Sequence, residues 1–208
     1  MSDQLGLFGI DPVPPGVPPT TPPKPAVKKA RPPRKMHKLF FALKPDAEDA
    51  QSLARHIREL DRQHSVGGHL LRVDRLHITL QVVGEFDETP ETFVQLMRQV
   101  GDAVVANVFN IVFDKAVYFQ GARAYVLAGG EGVQPVRDFH QILCAEIAKV
   151  LPFKAPSFTP HMTMSYSGRA VAEHAIEPIR WTAREFLLID SHVGKTYHEV
   201  VGRWRLGS

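Results

Sequence analysis

Two tetrapeptides, HITL at 77–80 and HMTM at 161–164, stand 84 residues apart, and each closes the same run of elements. In the first half a strand-like KLFFAL leads through an amphipathic helix to the strand that carries HITL. In the second, AYVLAG leads through another helix to the strand that carries HMTM. A duplicated strand–helix–strand unit constrains a fold strongly, because each copy must bury an apolar face and the two can share a core. The expectation is an α+β architecture of two similar lobes, antiparallel sheets with flanking helices about a central cleft and an approximate two-fold axis.

The other elements follow from periodicity. Asp46 is placed to cap a first helix that runs to about Arg62, with Leu53, Ile57 and Leu60 at helical spacing. Gly67 and Gly68 precede two strand-like runs, HLLRV and LHITLQVVG, the second ending at Gly84. A helix over 90–100 carries Phe93, Leu96, Met97 and Val100 on one face. VFNIVFDKAVYF and RAYVLAGG read as antiparallel partners joined around Gln120 and Gly121, followed by a helix over 136–151 and the strand FTPHMTMSY. REFLLIDSHVG and YHEVVGRWRL supply two more strands.

The first 33 residues hold ten of the 17 prolines, which remove backbone donors and favour extended conformations. Residues 1–37 are therefore read as a disordered, basic tail and 38–208 as the folded domain. Seven Lys and Arg lie between Lys24 and Lys38 with no acid among them. With +3 on the whole chain, the remainder carries −4, so the basic character belongs to the tail. No basic stretch followed by a long apolar run opens the chain, and cytoplasmic residence is the expectation. The single cysteine, Cys144, excludes an internal disulfide and reads as core filler in a helix.

Alternation along a strand points the histidine and threonine of H-x-T-x to one face while Ile78 and Leu80, or Met162 and Met164, face the core. If the lobes are related by a two-fold axis, His77 and Thr79 face His161 and Thr163 across a groove. Such a pair suits phosphodiester cleavage: one imidazole takes a proton from the nucleophile, the other protonates the departing oxygen, and the hydroxyls donate to the phosphate. This arrangement requires no metal and no cofactor. A single H-x-T among ten histidines would be ordinary, but two copies at equivalent places in a repeat are not.

HITL and HMTM resemble the two signature motifs of the 2H phosphoesterases. KLFFAL, LHITLQVVGEF, FTPHMTMSY and EFLLIDSHVG are similar to segments of the RNA 2′,3′-cyclic phosphodiesterase and 2′-5′ RNA ligase family, over about 38–206. The resemblance implies a bilobal fold and an enzyme that opens RNA 2′,3′-cyclic phosphate ends to 2′-phosphates, reversible as 2′-5′ ligation. It implies His77 as general acid, His161 as general base, and Thr79 and Thr163 as phosphate ligands. A 3′-5′ RNA exonuclease of the same superfamily and a non-catalytic nucleotide or RNA-binding module are the alternatives.

One departure stands out. Many family members continue the second motif as H-x-T-x-x-R, and this chain has Tyr166 there. A phenol donates one hydrogen bond and no charge. Arg123, Arg169 and Lys195 are candidate substitutes, and Tyr125 and Phe41 candidate base-stacking rings. The other histidines, His56, His64, His69, His140, His174, His192 and His198, read as helix-face, edge or loop residues without metal-ligand spacing. Expected partners are RNA ends or cyclic nucleotides, and nothing in the design requires more than a monomer. Gln4, Leu5, Leu7 and Phe8 form a peptide similar to those that bind the bacterial replication sliding clamp, displayed ahead of a proline-rich spacer.

Overall fold

The structure, a computed structural model, describes residues 36–166, 168–195 and 197–207. The Gln4, Leu5, Leu7, Phe8 peptide and the proline-rich spacer lie outside the described residues.

Strand β1 (His37–Leu43) leads into helix α1 (Ala47–His64), whose N-cap is Asp46, its carboxylate accepting from Asp49 N–H. A two-residue strand β2 (His69–Leu70) and a single 3₁₀ turn (Val73–Arg75) then precede β3 (Ile78–Phe86). Helix α2 (Glu91–Ala103), strands β4 (Phe109–Phe119) and β5 (Ala124–Ala128), and helix α3 (Gln134–Val150) follow. The chain ends with β6 (Met162–Tyr166), β7 (His174–Ala183), β8 (Glu185–His192) and β9 (Tyr197–Arg205).

The strands form two antiparallel sheets, ordered β3-β1-β8-β9 and β2-β6-β5-β4-β7. The repeat is visible in these orders. β1 lies between β3 and β8, and β5 lies between β6 and β4, so each H-x-T strand pairs with the first strand of its own unit. The registers also match. Ala42 opposes Thr79 and Phe41 opposes Gln81, with Leu80 as the extra residue; Val126 opposes Thr163 and Tyr125 opposes Ser165, with Met164 as the extra residue. A bulge therefore follows each threonine directly, a device that bends a strand and re-aims its side chains.

Three details differ from the sequence reading. HLLRV yields only two residues in strand, at His69 and Leu70, with one further backbone bond from Leu71 N–H to the Met164 carbonyl at 2.8 Å, because the chain then leaves β6 for the 3₁₀ turn at Val73–Arg75. The strand β7 was hidden by Pro178 and by its charged, exposed positions. β7 is an edge strand, and Pro178 sits where the β4 register shifts, a place where a missing N–H costs little. His37, assigned to the tail, opens β1, and Lys38 beside it, where the folded domain was expected to begin, pairs with Glu85 at 2.7 Å.

The helices cover the inner faces. Trp204 on β9 stacks on Phe186, with ring centroids 5.0 Å apart, and donates from Nε1 to Asp102 on α2 at 2.7 Å. Its indole lies against Gly101, where an added Cβ would collide with the ring. Replacing Gly101 with Val should therefore lower stability by roughly 1–3 kcal/mol through overpacking. The measurement is the denaturant midpoint, with a change in tryptophan fluorescence; an unchanged midpoint would show that the α2–β9 seam has room to spare.

Candidate active site

His77 immediately precedes β3, and His161 immediately precedes β6. The two imidazoles are anchored alike. His77 Nδ1 lies 2.7 Å from the carbonyl oxygen of Arg75, and His161 Nδ1 lies 2.8 Å from that of Thr159, each carbonyl two residues earlier in the chain. A carbonyl only accepts, so Nδ1 carries the proton in both rings and Nε2 is left to act. In His77 that nitrogen is 3.1 Å from the Thr79 hydroxyl, which donates to it. Thr163 is likewise half-buried, its strand neighbours Met162 and Met164 fully buried.

Burial is the main cause that holds the pKa of His77 below the ordinary imidazole value. The Arg75 carbonyl bond opposes that shift, while the charges of Arg75, Lys44 and His161 reinforce it. The last of these places the two motif imidazoles within each other's field. His77 thus rests neutral in the free protein.

A cleft of about 630 Å³ opens over His77 and Thr79, lined also by Phe40, Arg75, Tyr166 and His198. His161 and Thr163 lie outside this lining, and what connects His161 to His77 is their mutual electrostatic influence. A larger cavity of about 1090 Å³ runs past Lys44, Arg184 and Arg203 but contains none of the four motif side chains. Two of the cations there are tied in ion pairs, Arg184 with Asp46 at 3.1 Å and Arg203 with Glu185, which leaves the smaller cleft as the candidate site.

Tyr166 is exposed at that cleft, but Tyr125 is not available to stack a base. It is 1% exposed, its hydroxyl is 3.1 Å from His174 Nε2, and burial pushes its pKa up to about 12. β5 is a central strand, so every one of its side chains is covered. Phe41 is buried for the same reason in β1. None of Arg123, Arg169 and Lys195 lines the cleft; Arg169 donates instead to the His64 carbonyl at 2.9 Å.

Arg75 stands in the cleft where those residues do not. Its Nη2 donates to Nε2 of His198 at 2.6 Å, while its Nε is buried without a partner. His198 meets His77 edge to face, ring centroids 5.4 Å apart. Sequence reading passes over both residues. Arg75 was findable as the residue two before His77, whereas His198 reaches the site only because β9 folds beside β8.

The model of the 2′-5′ RNA ligase superfamily matches residues 45–195, a span that includes both H-x-T motifs. The chain belongs to that superfamily. Among solved structures, a crystallised phosphoesterase is 24% identical with a TM-score of 0.64, covering 85% of this chain and 100% of its own. Escherichia coli LigT is 22% identical with a TM-score of 0.63, covering 84% and 99%. TT0787 of Thermus thermophilus is 18% identical with a TM-score of 0.64, covering 81% and 97%. These likenesses show the bilobal α+β fold of 2H phosphoesterases. No curated protein sequence matches the chain, and no helix among the described residues is long and apolar enough to cross a membrane.

The site of this superfamily member makes a titration measurable. Burial, then the charges of Arg75, His77 and Lys44, push the pKa of His198 down to about 4. The unfolded chain, with an ordinary imidazole near about 6.5, binds more protons between these values. The His198 contribution to stability is therefore present above about pH 6.5 and lost as pH falls towards 4. NMR of the His198 ring should show a neutral imidazole with unprotonated Nε2 at pH 6; a ring already charged there would refute the Arg75 contact.

Proposed function

We propose that the protein is a metal-independent RNA 2′,3′-cyclic phosphodiesterase that opens terminal cyclic phosphates to 2′-phosphates. The observation that carries this reading is the matched pair of imidazoles, each anchored through Nδ1–H to a backbone carbonyl and each beside a threonine. His161 Nε2 takes a proton from water as the new O–P bond forms. The P–O3′ bond breaks, and His77 Nε2–H gives its proton to O3′, leaving the 2′-phosphate. Run backwards with a 5′-hydroxyl in place of water, the same steps make a 2′-5′ linkage. Thr79 and Thr163 donate to the non-bridging oxygens.

His77 rests neutral, so as the acid it must gain a proton when substrate arrives. An anionic phosphate beside it offsets the repulsion from Arg75, Lys44 and His161 that disfavours the charged ring. Arg75, which lines the cleft, then supplies the cation that Tyr166 lacks, with Tyr166 contributing a neutral donor. LigT has been crystallised with phosphate and with 3′-AMP. Those complexes support a phosphate-holding cleft in this chain as well.

The test is hydrolysis of 2′,3′-cyclic AMP and of RNA bearing a 2′,3′-cyclic end, with phosphorus NMR to locate the product phosphate. His77→Ala and His161→Ala should each lower kcat by roughly 10²- to 10⁴-fold while the protein stays folded. Turnover should survive EDTA and follow a bell-shaped pH profile. The alkaline limb should lie higher for kcat than for kcat/KM, because bound phosphate favours protonated His77. Shortening of RNA that leaves a cyclic end would indicate the exonuclease, and binding without turnover the non-catalytic module.

A separate measurement addresses Arg75. Arg75→Ala should raise KM and lower kcat/KM by roughly 10- to 100-fold, the worth of one lost charge-assisted contact, and Arg75→Lys should recover only part. Kinetics indistinguishable from wild type would return the question of the missing cation to the rest of the cleft.

A further inference from the structure

Away from the H-x-T motifs, three metal-ligating side chains converge from two adjacent strands. His37 on β1 is register-paired with His192 on β8, and Asp190 lies two residues before His192, on the same face. One donor atom from each lies within 4.8 Å of the others. From this convergence we propose that His37, Asp190 and His192 bind one divalent transition-metal ion of the zinc class, clipping the start of β1 to the end of β8.

The polar bookkeeping of the cluster supports an ion. Asp190 is 6% exposed, and both its oxygens face His37 Nδ1, at 3.1 and 3.0 Å. The ring of His192 lies against that of His37, centroids 4.4 Å apart. Its Nε2 is covered and makes no hydrogen bond, the nearest carboxylate oxygen, on Glu199, being 3.5 Å away. A simple His37–Asp190 ion pair would leave that buried nitrogen unsatisfied, which folded proteins avoid. A metal ion gives it a partner.

Ligand chemistry and geometry narrow the choice of ion. Two imidazoles with one carboxylate suit zinc, cobalt, nickel or iron(II), while magnesium and calcium prefer oxygen alone. With bonds near about 2.0–2.1 Å, ligand atoms on a tetrahedral ion stand roughly 3.3 Å apart, so the side chains draw together by an ångström or so on binding. The proton that His37 Nδ1 shares with Asp190 leaves to solvent as the ion takes its place. Glu199 Oε2, or water, is available for the fourth position. The corner is already tied by a backbone bond from Val193 N–H to the Met36 carbonyl at 2.7 Å. His37 and His192 also line the rim of the cleft, so an ion has a path from solvent.

The experiment uses the full, tag-free chain stripped with chelator and desalted. Calorimetric titration with Zn²⁺ should show one equivalent bound and a rise in Tm. His192→Ala and Asp190→Asn should each weaken binding by roughly 100-fold, whereas His77→Ala should bind as wild type. Independently of any variant, Co²⁺ should give visible absorption bands and paramagnetic shifts of the His37 and His192 ring protons. Absence of saturable binding by wild type, or binding that persists in His192→Ala and is lost in His77→Ala, would overturn the proposal.

Discussion

Burial of alternate residues on the two H-x-T strands is the constraint on which the rest depends. Ile78, Leu80, Met162 and Met164 are all essentially inaccessible. With those four side chains committed to the core, the intervening His and Thr must point the other way. A slip of one residue in either strand would expose two core side chains and bury an imidazole, so register is enforced by the hydrophobic effect rather than by the motif histidines and threonines. The bulge after each threonine releases the chain from that register once the motif is placed.

Electrostatics at the site runs against the overall charge of the folded part. Residues beyond the basic tail sum to a negative charge, yet His77 sits among Arg75, Lys44 and His161, each of which disfavours its protonation. Local placement outweighs net charge here because burial removes the solvent that would screen these groups. A cleft with neutral imidazoles, an arginine only partly satisfied, and no carboxylate among the motif residues is complementary to an anion. The same low polarity that keeps His198 neutral makes it an acceptor for Arg75, so one shift supports the other's geometry.

Elements with a strong apolar period were legible in the chain. α1, α2 and α3, the central strands β1 and β5, and both motif strands appear near where periodicity places them, because each must bury a continuous stripe whatever surrounds it. The misses share a cause. β7 carries Pro178 and charged residues and is a strand only because β4 presents an unpaired edge, and HLLRV stops short because its chain leaves β6 for the 3₁₀ turn at Val73–Arg75. Tyr125 read as a site residue because polarity hints at a surface. Its position in a central strand overrules that hint and gives its hydroxyl a private partner in His174.

By itself the sequence determined the duplicated unit, the alternation that turns His77, Thr79, His161 and Thr163 away from the core, and the absence of an arginine at position 166. These are local properties, set by spacing along one strand. Only the tertiary structure decided that His198 holds Arg75 beside His77, and that His37 meets Asp190 and His192. Those residues are joined across 123 and 153 positions of chain by strand pairing. Pairing between strands far apart in sequence is chosen by the packing of whole sheets, which no window of residues contains.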